Sequence, residues 1–264
     1  MTMTARSYLV LALAVAFALS PLAAPGFRGF DLAAFPEPLA RPPLQPADYA
    51  FAIWGPIYAW LVAMAVYGAL RRAEDAAWDA TRGPLAISFG IGAAWLPVAT
   101  AFPVLATAML WFMLAAALAA LARTPRHDRW WLRASVGLYA GWLTAAAAVA
   151  TATVAAGHGI AGAAPSFWGM ASLSLCFAVA AGAIVTRPSG AYGAALLWAL
   201  AGVVVGHGPS LVGAYALVGA AMVAVLVMLQ WRRIVARSPS SKSSSGTIRR
   251  APSDRGVRGT PVDQ

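Results

Sequence analysis

Trp54 and Tyr58 stand four residues apart, and Tyr139 and Trp142 three apart. Such spacings put both rings of a pair on one face of a helix. Trp54 and Tyr58 share their face with Leu61 and Ala65, and Trp95 adds a further ring between the two pairs. Indole and phenol faces stack on flat apolar molecules, and their N–H and O–H tips supply a few oriented hydrogen bonds. The chemistry open to these residues is therefore recognition of a small aromatic ligand, or an aromatic packing cluster with no ligand at all. The chain has eleven tryptophans. Trp130, Trp131, Trp168 and Trp231 fall at the ends of apolar runs, where Trp anchors a membrane interface. Trp142 lies well inside one.

Other chemistries lack actors. There is no phosphate-binding glycine loop with lysine, no His-Glu-x-x-His and no serine elbow. Apart from Arg133 at the first position of one of them, the apolar spans carry no Asp, Glu, Lys or Arg, so neither hydrolysis nor ion-coupled transport has its usual ionisable groups. His158 and His207 fall at predicted turns, without the acidic partner that orients a metal-binding histidine. Cys176 is the single cysteine, which excludes an intrachain disulfide and a thiolate zinc site. No catalytic and no metal-ligating residue is expected, and no cofactor is required.

The rings need elements to position them, and composition says which. The chain is 61% hydrophobic and 11% charged, against about 25% charged in a soluble domain. Apolar runs reach the roughly 20 residues a spanning helix needs, and lipid leaves no partner for irregular backbone. Eight spans are predicted, at 7–24, 49–70, 84–101, 104–122, 133–156, 166–186, 191–206 and 210–230. No charge interrupts the chain between Arg82 and Arg123. One helix of that length would run about 60 Å, twice the hydrocarbon core. It must reverse, and Phe102-Pro103 is the place. Gly157-His158-Gly159 with Pro165, and Gly206-His207-Gly208-Pro209, mark two further reversals.

Charge then orients the bundle. The net charge is +10, and eight of the nineteen basic residues follow Gln230. With eight spans, Arg6, Arg71, Arg72, Arg82, Arg123, Arg126, Arg129, Arg133, Arg187 and the tail fall on one side. Arg28 and Arg41 fall on the other. By the positive-inside rule both termini are cytoplasmic, in a multi-pass protein of the cell (inner) membrane. The basic balance is a topology signal, and no nucleic-acid partner is expected. A cleaved signal peptide is the alternative for the first span, although Pro21 and Pro25 follow its candidate cleavage points. The Ser-, Arg-, Gly- and Pro-rich residues 232–264 are expected to be a disordered cytoplasmic tail, able to adhere to anionic headgroups.

The run from Pro46 to Tyr58, ending in Trp54-Gly55-Pro56-Ile57-Tyr58, resembles the signature of the tryptophan-rich sensory protein family (TspO/MBR, related to the mitochondrial translocator protein). Trp95 on the third span and Tyr139-Ala140-Gly141-Trp142 on the fifth match that family's further aromatic positions. The resemblance covers residues 7–156. It departs where the family has asparagine, at Gly92 and at Ala150. It implies a five-helix membrane domain over 1–156, with three additional spans over 157–231. It also implies binding of porphyrin-type tetrapyrroles, haem among them, or other flat apolar ligands, a sensory role, and homodimers. Carried over by position, the ligand contacts are Trp54, Tyr58, Trp95, Tyr139 and Trp142, with Tyr49 and Phe51 on a lid loop. The expected function is a membrane receptor or sensor for a hydrophobic aromatic molecule, and not an enzyme. A permease for an uncharged apolar solute is the competing reading, and an assembly partner in a larger membrane complex is a third.

Overall fold

The computed structural model describes residues 1–27, 29–125 and 127–237. Every regular element among them is helical. Eight helices are long and apolar enough to cross a membrane: α1 (Met3–Leu19), α2 (Trp54–Arg71), α3 (Ala76–Ala101), α4 (Pro103–Arg123), α5 (Ser135–Gly157), α6 (Pro165–Thr186), α7 (Gly190–His207) and α8 (Leu211–Arg237). The chain is a multi-pass membrane protein whose outer helix faces contact the lipid bilayer.

The reversals fall where Gly and Pro stop a helix. Phe102 closes α3 with a non-helical backbone, and Pro103 opens α4 at the position where a missing N–H costs nothing. Gly159 follows α5 at φ +59°, and Gly208 follows α7 at φ +55°. Both are left-handed conformations that glycine adopts without strain.

Two helices run further than expected. α3 begins two turns before Pro84 because the Asp75 carboxylate caps it, accepting from the N–H of Ala77 and of Trp78. Such a cap satisfies otherwise orphaned donors, and Pro84 is carried inside the helix. α8 continues to Arg237, so residues 232–237 are helical and not part of a disordered tail. The disorder and headgroup adhesion expected for 238–264 lie outside the described residues, as do Arg28 and Arg126.

α5 is the hub. It packs against α2, α4, α6 and α7, while α3 joins α1 to α4 and α8 covers α6 and α7. In its most apolar stretch 67% of positions are buried, against 44% or less in every other helix. Lipid supplies no water-exclusion drive between helices, so close approach needs small side chains. Gly137 and Gly141 let α7 in: a Cβ at 137 would overlap the Ser189 side chain, and one at 141 the Tyr192 carbonyl. Hydroxyls buried at the heart of the bundle find partners, as they must in a medium without water. Thr144 Oγ1 and Tyr192 OH are 2.8 Å apart, and Ser88 Oγ bonds both Tyr139 OH (2.8 Å) and the Met113 carbonyl (2.9 Å).

An ionic network closes the basic end of the bundle. Arg82, 3% exposed, donates to Asp79 (3.1 Å) and to the carbonyls of Met3, Ala73 and Arg72. Arg6 pairs with Asp79 at 2.8 Å. Asp128, at φ +53°, accepts from Arg72 Nε (2.7 Å) and from Trp78 Nε1 (3.0 Å). This ties the α4–α5 connection to the start of α3. The Arg72 guanidinium holds the Asp128 carboxyl below the usual carboxylate range. A depressed carboxylate stabilises the fold fully above its ordinary value of about 3.9, and loses that contribution as the pH falls through the depressed one. Asp128→Asn keeps a side chain that tolerates the left-handed backbone and removes the charge. Its thermal midpoint in detergent is expected below that of the wild type at neutral pH, with the gap narrowing only under acid. A gap independent of pH would remove the charge from the explanation.

Candidate functional site

Five of the seven rings singled out in the sequence meet in the upper half of the bundle, away from the basic end. Trp54 and Tyr58, one turn apart on α2, stack at 5.1 Å and 18°. Trp142 of α5 meets Trp54 edge-to-face at 6.1 Å and 84°. Tyr139, three residues before Trp142, lies on the same side of α5. Phe51 stands on the short 3-10 helix Asp48–Ile53 that leads into α2. Its ring meets Trp142 edge-to-face at 6.0 Å, and at 39% exposure it is the outermost ring of the group.

Two rings that sequence spacing did not single out complete the cluster. Phe17 of α1 lies at its centre, 5.1 Å from Tyr58, 6.0 Å from Trp54, 5.7 Å from Tyr139 and 6.1 Å from Phe89 of α3. Gly92 makes room for it: a Cβ there would stand 2.6 Å from the Phe17 ring. The departure from the family's asparagine thus has a geometric counterpart, because any side chain at 92 would overlap Phe17. That glycine was the one available signal, and it becomes readable only once α1 is known to face α3.

Trp95 and Tyr49 are elsewhere. Trp95 donates from Nε1 to the Ala106 carbonyl (2.9 Å) and meets the Phe27 ring at 5.6 Å. It ties α3 to α4 and to the segment after α1. Tyr49 meets Trp198 of α7 edge-to-face at 5.5 Å and does not cover the central rings.

The polar tips of the cluster are unevenly satisfied. Tyr139 OH is bonded to Ser88. Trp142, 2% exposed, has no partner for its Nε1–H among the described residues. A buried donor without an acceptor costs about 1–3 kcal/mol, and native structures carry few of them. Indoles outside the cluster contrast with it. Trp78, Trp95, Trp111 and Trp198 each reach an acceptor at 2.9–3.0 Å.

The rings touch one another, and an open cleft lies apart from them. It has a volume of about 570 Å³ and opens at the end opposite the ionic network, between Asp31, Phe35, Phe102, Leu105, Ala108 and His158. His158 bonds the Val154 carbonyl through Nδ1 (2.9 Å) and meets the Phe35 ring at 5.4 Å. Among the described residues no group of three His, Cys, Asp or Glu side chains could hold a metal ion.

No curated protein and no solved structure matches the chain. One family model does, under the description TSPO-like protein, over residues 9–229. That range takes in most of α1 and of α8 and every helix between them, so α6, α7 and α8 lie within the matched region. In general terms the family points to a membrane sensor or receptor. An eight-helix bundle whose second and fifth helices bring Trp54-x-x-x-Tyr58 and Tyr139-x-x-Trp142 face to face therefore belongs to the TSPO-like family.

Proposed function

We propose that this protein is a membrane receptor or sensor for a flat, apolar aromatic molecule that carries a hydrogen-bond acceptor. It would bind among Phe17, Phe51, Trp54, Tyr58 and Trp142. The observation that carries the reading is the Trp142 indole N–H, buried among rings and lacking an acceptor. Folding has already stripped that donor of water, so an incoming acceptor satisfies it without competing against solvent. Ring faces supply the remaining affinity through offset and edge contacts.

The site offers indole, phenol and hydroxyl groups, which suit binding rather than acid–base catalysis. Tetrapyrroles are the ligand class to try first. Their plane matches the Trp54–Tyr58 stack, and their peripheral carboxylates can accept from Trp142. The rings are now in mutual contact, so a macrocycle enters only by moving Phe51 and the 3-10 turn that carries it. Haem iron would find no histidine or cysteine among the site's residues to ligate it. A metal-free porphyrin is thus the better probe. In the cell the basic end would face the cytoplasm of a bacterial-type inner membrane, with both termini on that side.

The experiment is titration of purified protein in lipid nanodiscs with a metal-free porphyrin, followed by quenching of tryptophan fluorescence. Saturable quenching is expected in the wild type, and a strongly weakened curve in the Trp54→Ala, Trp142→Ala double variant. Equal quenching in the two proteins would count against the site.

A further inference from the structure

The chain from Arg41 to Ile53, which delivers Phe51 and then Trp54 to the ring cluster, is fastened along its length to α7. The N–H of Ala47 donates to the Gly202 carbonyl at 2.9 Å. The indole of Trp198 donates from Nε1 to the Ala50 carbonyl, also at 2.9 Å, and its ring meets Tyr49. Arg41 Nη2 lies 3.2 Å from His207 Nδ1. Two glycines let the backbones come this close. A Cβ at Gly202 would stand 2.8 Å from Ala50 Cβ and 3.0 Å from Pro46 Cβ, and one at Gly206 would stand 2.8 Å from the Gln45 carbonyl. Leu44 and Ala50 are buried beneath this clasp. On its other side the same short turn presents Phe51 to Trp142. A single turn of chain thus touches α7 with one edge and the rings with the other.

We propose that α7 is the latch of the ligand site: Trp198 and Gly202 hold the 44–53 segment against the aromatic cluster, and ligand passes when that segment parts from α7. Trp198 is a positioning residue, acting on the rings through the segment. The proposal rests on the reading of the ring cluster as a ligand site. It assigns to a helix of the C-terminal half the control of access to a site built from α1, α2, α3 and α5. The physical requirement is that opening costs little. A latch of two backbone-directed hydrogen bonds, one exposed ring pair and two fully buried apolar side chains, Leu44 and Ala50, can release locally while the helices stay packed, as low-stability segments of a native protein do.

The test combines hydrogen exchange with binding kinetics, on the full chain in nanodiscs. Trp198→Phe removes the N–H donor and keeps a ring against Tyr49. Gly202→Leu forces the segment off α7. Trp198→Phe is expected to speed amide exchange in residues 44–53 about fivefold, the worth of one net hydrogen bond, with α2 and α5 unchanged. It is also expected to raise the association and dissociation rates of a metal-free porphyrin by a similar factor, so that the Kd stays where it was. Gly202→Leu is expected to do the same more strongly. Unchanged exchange in 44–53 for both variants would overturn the clasp. Faster exchange with unchanged porphyrin rates would overturn the gate. Failure of the wild type to bind porphyrin would sink the ligand-site reading and the gate with it, while the exchange arm would still decide whether α7 holds the segment.

Discussion

Trp142→Phe is expected to lower the affinity for an acceptor-bearing flat ligand about tenfold while leaving the bundle folded. The reasoning turns on the state of the indole N–H before binding. An ordinary donor trades a bond to water for a bond to ligand, and the net gain is small. The donor of Trp142 has no bond to trade, being 2% exposed and without a partner among the described residues. Only the ligand's acceptor loses water, so more of the bond's gross strength appears in the affinity. Stability should respond weakly for the same reason. The smaller ring loses contacts with Trp54 and Phe51, yet the variant no longer buries an unsatisfied donor, and these effects oppose each other. Trp111→Phe is the control. Trp111 Nε1 donates to Thr151 Oγ1 at 3.0 Å and its ring makes no contact with the cluster's rings. That change should lower stability by about 1 kcal/mol and leave affinity alone. Quenching of the remaining tryptophans gives the affinities. Equal affinities for wild type and Trp142→Phe would show that the indole N–H does not meet the ligand.

Gly141→Val is expected to be the most damaging single change to the fold. A Cβ at 141 overlaps the Tyr192 carbonyl of α7, which is backbone and cannot swing aside. α5 and α7 must therefore separate. Overpacking of this kind costs about 1–3 kcal/mol. Separation also breaks the buried Thr144–Tyr192 hydroxyl pair, and a buried polar group left unpaired adds about 1–3 kcal/mol. Gly182→Ala on α6 is the counterpart, because a Cβ there meets nothing within 4 Å. Replacing a helical glycine at an unstrained position stabilises by about 0.4–1 kcal/mol. Cys176 provides the measurement. It is the chain's single cysteine and is 1% exposed on α6, so reaction with a thiol dye during heating reports the loss of packing. Gly141→Val should react at a markedly lower temperature than the wild type, and Gly182→Ala at the same or a higher one. Wild-type behaviour of Gly141→Val would mean that the α5–α7 contact contributes little to stability.

Most of the fold is legible in the sequence. Eight spans followed from the lengths of apolar runs, and Phe102-Pro103, Gly157-His158-Gly159 and Gly206–Pro209 turned the chain where expected, because lipid thickness and backbone sterics act locally. The start of α3 was missed by two turns. Its early residues are charged, a composition that reads as loop, but Asp75 caps them and Arg82 and Asp79 find partners at the bundle's end. The ring site was half legible. Helical spacing identifies residues that share a face, which it did for Trp54 with Tyr58 and for Tyr139 with Trp142. It does not say which helix that face meets. Trp95 therefore looked equivalent to the others, although its indole is spent on the Ala106 carbonyl. Phe17 and Phe89 have no other ring three or four residues away, so spacing does not mark them, although Phe17 is the centre of the cluster.

Membrane residence, the number of spans, the places of reversal and the pairing of rings on single helices were all determined by the order of the amino acids, since each depends on interactions within a few residues or with the lipid. The meeting of α1 with α2 and α5, the insertion of Phe17 over Gly92, the isolation of the Trp142 N–H and the fastening of 44–53 to α7 were decided only by the tertiary structure. They depend on contacts between residues up to 166 positions apart in the chain. In lipid such contacts are selected by how closely small faces fit together, and no local pattern in the sequence encodes that fit.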